Sequence, residues 1–229
     1  MKINNLDNQI FRSTSAEIKS AEKIMRMANK KFPTYSTVKF WKFNNAQEKF
    51  MIVQSLKKAS YFFLKNVRDK LLPIKYNGIT YEYYKTLMSL IKNFKMANCA
   101  ELTDMMKLIF ASNGKNMLCA NINDNGCSFD HTVGLIMKNG KEFPIEKINT
   151  TPLSKMKDLI VVDPWLNFVD FAPNAAKRYT GELLQYVLRE DVSNMQELPH
   201  YNISDLYVDT NIFQYNLMNE KFVKNYCNK

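Results

Sequence analysis

The fold is decided by residues 98–114, which read NCAELTDMMKLIFASNG, because the hydrophobic period of the chain changes after them. Asn98 is a favourable N-cap residue, and Glu101 stands three positions later, as in a capping box. The apolar residues that follow have helical spacing, at Leu102, Met105, Met106, Ile109 and Phe110. Asn113-Gly114 is a typical helix stop. The stretch therefore predicts a helix that begins at Cys99.

The chain before this helix also has helical periodicity, in three segments. Thr14 and Glu17 form a capping-box pattern, and helical spacing continues from there to Pro33. Similar spacing runs over 46–70, where Pro73 follows the expected end, and over 80–95. We therefore expect three helices before the one at Cys99.

The chain after this helix has the alternation of β-strands. Asn139-Gly140 is a strong hairpin signal, and Pro144 places the returning strand at a sheet edge. The predicted strands are 116–122, 128–138, 141–145 and 158–163, with a last helix from Thr180. The predicted fold class is α+β, in which a helical N-terminal part packs on a small antiparallel sheet.

The length of 229 residues fits one domain. We divide it into a basic helical part at 1–98, the Cys99 helix with the sheet at 99–190, and a C-terminal extension at 191–229. A hydrophobic content of 46% excludes a disordered chain. No apolar run approaches the roughly 20 residues that span a bilayer, and the N-terminus lacks the apolar stretch of a Sec signal peptide.

The net charge of +10 is unevenly distributed. Residues 1–98 carry 19 Lys and Arg against 6 Asp and Glu, whereas residues 99–229 carry 13 against 16. No helix-turn-helix, zinc-finger or RNP signature is present, so no nucleic-acid partner is expected. The basic half instead suits an acidic protein or, less well, an anionic membrane surface. The basic residues singled out for this role are Lys57, Lys58, Lys65 and Arg68.

The four cysteines, at positions 99, 119, 127 and 227, contain no CxxC pair, and we expect them to be reduced thiols. A zinc site built from Cys119, Cys127 and His131 matches no established ligand spacing. We therefore predict neither a metal nor a cofactor. His200, the only other histidine, is expected in a surface loop.

Three residues form a candidate catalytic set. Cys99 at a helix N-terminus meets the positive end of the helix dipole, which favours a nucleophilic thiolate. His131 lies in a predicted strand, and Asp163 ends another. A cysteine, a histidine and an orienting carboxylate are the groups that thiol acyl transfer needs. Taken singly, they also fit a buried thiol, a packing histidine and a turn-forming aspartate.

Further residues complete the candidate site. The backbone N–H of Cys99 and one side-chain donor are expected to form an oxyanion hole. Asn93, six residues before Cys99, and the helix cap Asn98 are the candidates for this donor. Trp165 is a substrate-site candidate that either shields a thioester from water or packs in the core.

The motifs Asn98-Cys99-Ala100-Glu101, Asp130-His131-Thr132-Val133 and Val162-Asp163-Pro164-Trp165 resemble those of transglutaminase-like, papain-like Cys-His-Asp enzymes among secreted bacterial effectors. The nearest are the RavJ-type effectors. The resemblance implies Cys99 as nucleophile, His131 as base and acid, and Asp163 as the residue that orients the imidazole. It also implies acyl transfer at a protein glutamine through a thioester, ending in crosslinking or deamidation.

The resemblance further implies how such a protein is used. It suggests a monomer that a type IV-like or other non-Sec system delivers into the host-cell cytoplasm. Its substrate would be a host protein, such as a cytoskeletal one, and a regulatory protein is a possible partner. Two other functions stay open: a papain-like cysteine protease, and a non-enzymatic basic module that binds an acidic host protein or a membrane surface.

Overall fold

The computed structural model describes residues 4–34, 47, 54, 58–59, 61–76, 81–124, 131–179 and 206–210. Three residues weighed in the sequence, Cys127, His200 and Cys227, lie outside the described residues. The same holds for most of the predicted C-terminal extension and for the predicted helix from Thr180 onward.

The described helical half begins with α1, Asn4–Lys31. A π-helical turn, Leu64–Arg68, leads into α2, Asp69–Tyr76. Two helices of fourteen residues follow, α3 at Tyr81–Phe94 and α4 at Cys99–Ser112. The predicted helices at 80–95 and from Cys99 are thus confirmed. None of the helices that the structure describes is long and apolar enough to cross a bilayer.

Two helix boundaries differ from the prediction. α1 begins ten residues before Thr14, because residues 4–13 contain no Gly or Pro that would stop a helix. Pro73 lies inside α2 and does not follow the end of the helix. A proline inside a helix removes one backbone hydrogen bond, and here the helix ends only three residues later.

The second half contains a five-stranded antiparallel sheet with the strand order β4-β3-β2-β1-β5. The strands are β1 (Leu118–Asp124), β2 (His131–Met137), β3 (Leu159–Asp163), β4 (Phe168–Phe171) and β5 (Leu206–Asp209). The α+β class, helices together with a small antiparallel sheet, is therefore confirmed. β4 and β5 were not predicted.

The predicted hairpin at Asn139-Gly140 is wrong. Both residues have positive φ, 61° and 63°, as a tight hairpin turn requires. The chain nevertheless leaves the sheet after them and forms α5, Ile145–Thr150, so that 141–145 is not a strand. Besides β1, β2 pairs with β3, a strand without proline, whereas Pro144 has no backbone N–H to donate to a neighbouring strand.

A helix that was not predicted, α6, covers residues 172–179 and directly follows the edge strand β4. Three small side chains, Ala172, Ala175 and Ala176, are completely buried there. Their size allows the helix to lie close against the sheet.

Both faces of the sheet are covered. Alternate residues of β3 point to opposite faces, as strand geometry dictates. Ile160 and Val162 belong to the core formed with α1, α3 and α4, whereas Leu159 and Val161 belong to the core formed with α5 and α6. β3 is therefore buried on both faces, which explains its continuous apolar sequence.

The middle of α4 carries a buried polar cluster. Asp104, 1% exposed, accepts a hydrogen bond from the Tyr83 hydroxyl and lies 3.6 Å from the Lys75 ammonium. The Cys119 thiol donates to its other oxygen at 3.8 Å. Burial lowers the pKa of Lys107, and the negative charge of Asp104 opposes that shift. The Asp104 carboxylate thus binds polar side chains from α2, α3 and β1.

Asp104→Asn should lower the free energy of unfolding by about 3 kcal/mol, because it removes the buried negative charge that pairs with Lys75 and accepts from the Tyr83 hydroxyl. Asp158→Asn is the matched control, since Asp158 pairs with Lys141 at 3.7 Å on the surface. We expect the control to cost less than about 1 kcal/mol. Urea unfolding of both variants measures the difference, and equal losses would contradict the role given to Asp104.

Candidate active site

His131 and Asp163 lie on adjacent strands, and the register brings them together. β2 and β3 pair antiparallel with Gly134 opposite Val162. One further step in this register places Asp163 opposite Val133, so His131 is its diagonal neighbour on the same face. Their side chains meet, with 2.6 Å between His131 Nε2 and Asp163 Oδ2.

The Asp163 carboxylate is completely buried and receives four hydrogen bonds. Oδ2 accepts from His131 Nε2 and from the Tyr179 hydroxyl, which lies at 2.9 Å. Oδ1 accepts from the backbone N–H groups of Trp165, at 3.0 Å, and Leu166, at 2.8 Å. One oxygen thus forms the turn expected before Pro164, and the other orients the imidazole. Both roles weighed from the sequence occur in one side chain.

The environment of His131 favours its protonated form. Burial alone would lower the pKa of His131, but the charge and hydrogen bond of Asp163 and a side-chain hydrogen bond with Cys99 raise it to about 10. The ring also packs against Trp165 and Tyr179, with centroid distances of 5.2 and 5.8 Å. These contacts hold an imidazolium in one orientation at neutral pH.

Cys99 is the first residue of α4, as predicted, and is half-buried. The Asn98 backbone N–H donates to Glu101 Oε2 at 3.2 Å in a capping box. Arg68 donates to the same carboxylate from Nε, at 3.1 Å, and from Nη2, at 3.2 Å. The basic helical part therefore fixes the first turn of the helix that carries the thiol.

A second contact, at the start of the next helical turn, fixes α4 against the sheet. Thr103 Oγ1 donates to the backbone carbonyl of Thr132 at 3.0 Å, one residue after His131. The Cys99 thiol and the His131 ring are hydrogen-bonded to each other. Since Nε2 of the ring is bound to Asp163, we assign Nδ1 to the thiol. The chain thus brings together Cys99, His131 and Asp163 in the order that a cysteine triad requires.

No family model, curated protein or solved structure matches this chain. The interpretation of the site therefore depends on its geometry.

Three candidate residues remain, and they differ in how close they lie to Cys99, His131 and Asp163. Trp165 is buried against His131, and Asn98 is the buried cap of α4. Asn93 lies in the last turn of α3 with its side chain exposed to solvent. The structure thus places Trp165 and Asn98 beside the triad, and the oxyanion roles of Asn93 and Asn98 stay predictions.

Cys119, the other described cysteine, has the opposite environment. It is 1% exposed, and burial, together with the charge of Asp104, raises the pKa of its thiol to about 12. A protonated, inaccessible thiol is a poor candidate for a nucleophile. Within the described part of the chain, no group of three His, Cys, Asp or Glu side chains could hold a metal ion.

Two residues of the site were missed in the sequence. Tyr179 donates to Asp163 from α6, sixteen residues away, and Arg68 reaches Glu101 across thirty-three residues. Tyr179 carried no motif, and Arg68 was singled out only as part of the basic surface, not as a partner of Glu101. A buried strand-end carboxylate needs several donors, which was the only signal that a partner such as Tyr179 existed.

The raised pKa of His131 predicts an imidazole that stays protonated from pH 6 to about pH 9. Asp163→Asn removes the main group that raises this pKa while burial persists, so His131 should then titrate below 6.5. NMR of the imidazole C–H signals measures this directly, because the chain has only two histidines and His200→Gln assigns them. The rate of Cys99 alkylation by iodoacetamide near pH 7 should fall in the same variant.

The raised pKa of His131 also determines how the free energy of unfolding changes with pH. A folded-state pKa above the unfolded value stabilises the protein fully below about pH 6.5, and this contribution disappears as the pH rises through about 10. The destabilisation by His131→Gln should therefore shrink between pH 6 and pH 10. A wild-type His131 that titrates near 6.5 would contradict the assigned environment.

Proposed function

We propose that this chain is a cysteine-dependent acyl transferase that acts on a protein glutamine, with Cys99, His131 and Asp163 as its catalytic triad. The observation that carries the proposal is the buried His131–Asp163 pair at 2.6 Å with the Cys99 thiol hydrogen-bonded to the same ring. The choice of glutamine rests on the three motifs that resemble transglutaminase-like effector enzymes. A papain-like or transglutaminase-like core is part of the same proposal.

The accessibility of the three groups supports this chemistry. Cys99 is half-buried, whereas His131 and Asp163 are buried, so Cys99 is the member of the set that a substrate would contact first. A protonated His131 beside the sulfur would stabilise the thiolate form, which is the form that attacks a carbonyl carbon. A partly exposed nucleophile with a buried acid and a buried orienting carboxylate is the arrangement that acyl transfer needs.

The reaction begins with attack of the Cys99 thiolate on the side-chain amide carbon of glutamine. The backbone N–H groups at the start of α4 point out of the helix end and would stabilise the resulting oxyanion. His131 gives its proton to the leaving nitrogen, ammonia departs, and a thioester remains. A lysine amine or water then attacks the thioester, gives its proton to His131 and restores the thiolate. The products are an isopeptide crosslink or a glutamate.

The deciding experiment treats host-cell lysate with the purified protein and a biotinylated primary amine. Mass spectrometry then searches for amine-labelled glutamine, crosslinks formed with ammonia loss, glutamine converted to glutamate, and new chain ends. Wild type should give one or more of the first three products, and Cys99→Ala should give none. Asp158→Asn is the control, because it changes an exposed residue of a surface ion pair outside the triad, and it should keep the activity.

The outcomes separate the alternatives. New chain ends that depend on Cys99, without glutamine products, would show a papain-like protease, because the nucleophilic step is shared. Equal product levels from wild type and Cys99→Ala would overturn the enzymatic proposal. Salt-dependent binding to an acidic protein, unchanged in Cys99→Ala and without any of these products, would favour a basic interaction module.

We further propose that the substrate is acidic, and that it docks on the 58–72 surface, defined as the exposed side chains of Lys58, Tyr61, Leu64, Lys65 and Leu72. The Arg68–Glu101 pair connects this segment to the first turn of α4 and so to Cys99. Tyr61 is 67% exposed, which is unusual for a large aromatic side chain. Apolar groups among lysines suit an acidic segment that also carries apolar side chains.

Lys58→Gln together with Lys65→Gln should raise KM by roughly threefold to tenfold, as expected for two surface charge contacts. The salt dependence of KM should weaken as well. A glutamine peptide flanked by glutamates is the substrate, and the same peptide with serines in their place is the comparison. Lys155→Gln with Lys157→Gln is the control, because these exposed lysines precede β3 at the end opposite Asp163.

Two of the basic residues singled out in the sequence are left out of this test. Lys57 lies outside the described residues, and Arg68 caps the catalytic helix through Glu101. A substitution of Arg68 would therefore mix substrate binding with the position of Cys99. If the double variant and the control change KM equally, the basic surface has no role in docking.

A further inference from the structure

A cavity of about 210 Å³ lies at the end of α4 opposite Cys99. Its walls come from α1, the last turn of α4, the ends of β2 and β3, and the turn after β2. Phe110 of α4 lines it, and eleven residues of helix place Phe110 roughly 16 Å from Cys99. The cavity is therefore separate from the triad, and ligand binding there is independent of the proposed function.

The inner part of the cavity is apolar. Ala21, Phe110, Ile136, Met137, Phe143 and Ile160 line it. An engineered apolar cavity of about 150 Å³ binds benzene, so 210 Å³ accommodates an aromatic ring with a short substituent. The size and lining fit the body of a small apolar ligand.

One wall carries a carboxylate with unused hydrogen-bonding capacity. Glu17 Oε1 accepts a hydrogen bond from the Asn139 backbone N–H at 2.6 Å, which fixes the side chain. Glu17 Oε2 is buried and has no hydrogen-bond partner among the described residues. A buried acceptor without a donor is costly, and a ligand that donates to it removes that cost.

The charges at the mouth restrict the ligand further. Lys115 and Lys141 line the cavity, and Lys141 pairs with Asp158 at 3.7 Å. An ammonium group suits Glu17, because hydrogen bonds between charged groups are the strong ones. A second positive charge on the ligand would meet the two lysines, which disfavours diamines and polyamines.

We propose that this cavity is a binding site for a small amphipathic monoamine, whose ammonium donates to Glu17 Oε2 and whose apolar, ring-sized body contacts Phe110 and Ile136. Such a ligand satisfies the buried carboxylate oxygen and fills the apolar space in one binding event. Phenethylamine has the required chemistry and serves as the probe.

The test is an NMR titration of the full chain with phenethylamine, observed at the methyl groups of Ile136 and Ile160. We expect saturable shifts at these methyls in wild type. Glu17→Gln should raise Kd about tenfold or more, because it replaces the acceptor of a charged hydrogen bond with an amide. Glu22→Gln is the matched control, since Glu22 is on the same helix but pairs with Arg26 at the surface.

Two further measurements test the role of the single ammonium group and the role of the cavity. The neutral isostere 2-phenylethanol and the polyamine spermidine should each bind at least about tenfold more weakly than phenethylamine. Ala21→Phe, which fills the cavity, should abolish the shifts while thermal unfolding shows a folded protein. Absence of saturable shifts up to the solubility limit of phenethylamine would overturn the proposal. Equal Kd values for phenethylamine and 2-phenylethanol, unaffected by Glu17→Gln, would overturn it too.

Discussion

The structure around the candidate site depends on one buried carboxylate, that of Asp163. A carboxylate with no exposed surface is costly unless donors surround it, and four donors do so. They come from β2, from α6 and from the turn between β3 and β4. Asp163 therefore restricts where each of these elements can lie, because its buried carboxylate needs their hydrogen-bond donors. The same requirement orients the His131 ring, because one of its nitrogens is among the four donors.

The chemistry that can occur at this centre follows from that constraint. Burial would normally favour a neutral imidazole, but Asp163 reverses the balance and raises the pKa of His131. Asp163 is itself held in place by the Tyr179 hydroxyl and by two backbone N–H groups, so its carboxylate meets the imidazole in one orientation. The hydrogen bonds that Asp163 makes in the turn would, taken alone, suggest a purely structural residue. They also hold its carboxylate where it orients the imidazole. The structural and catalytic interpretations of this residue are not alternatives.

The sequence predicted the parts of the fold whose signals are local. The start of α4 was predictable because Asn98, Glu101 and the apolar spacing all lie within one segment. β4 and β5 were missed because each has only four residues and is defined by its partner strand, β3 or β1. The turn at Asn139-Gly140 was recognised, but its direction was not, since the pairing of β2 with β3 involves residues twenty or more positions apart.

The three residues of the candidate triad could be predicted from the sequence, but the residues that hold them in position could not. Cys99, His131 and Asp163 each belong to a residue type with distinctive chemistry, and their order along the chain limits the arrangements. Tyr179 and Arg68 act through contacts between distant segments, and nothing local marks them. The charge analysis illustrates the same limit. The excess of positive charge in residues 1–98 treats all basic residues alike, yet Arg68 has a structural contact with Glu101 that the lysines of the 58–72 surface do not share.

The buried polar cluster at the middle of α4 is explained by its effect on the position of this helix. Replacing buried charges by apolar residues often leaves stability unchanged or improves it, so stability alone does not account for Asp104 and Lys107 in a core helix. An apolar helix face can slide or rotate against a sheet at little cost, whereas a hydrogen-bonded carboxylate fits in one place only. Asp104 is bound by Tyr83 of α3 and Cys119 of β1, on two different sides. The first turn of α4 is fixed separately by Arg68, and the start of its second turn by the carbonyl of Thr132. With its middle and its first turn both fixed, the helix has one position relative to β2, and the hydrogen bond between the Cys99 thiol and His131 requires that single position.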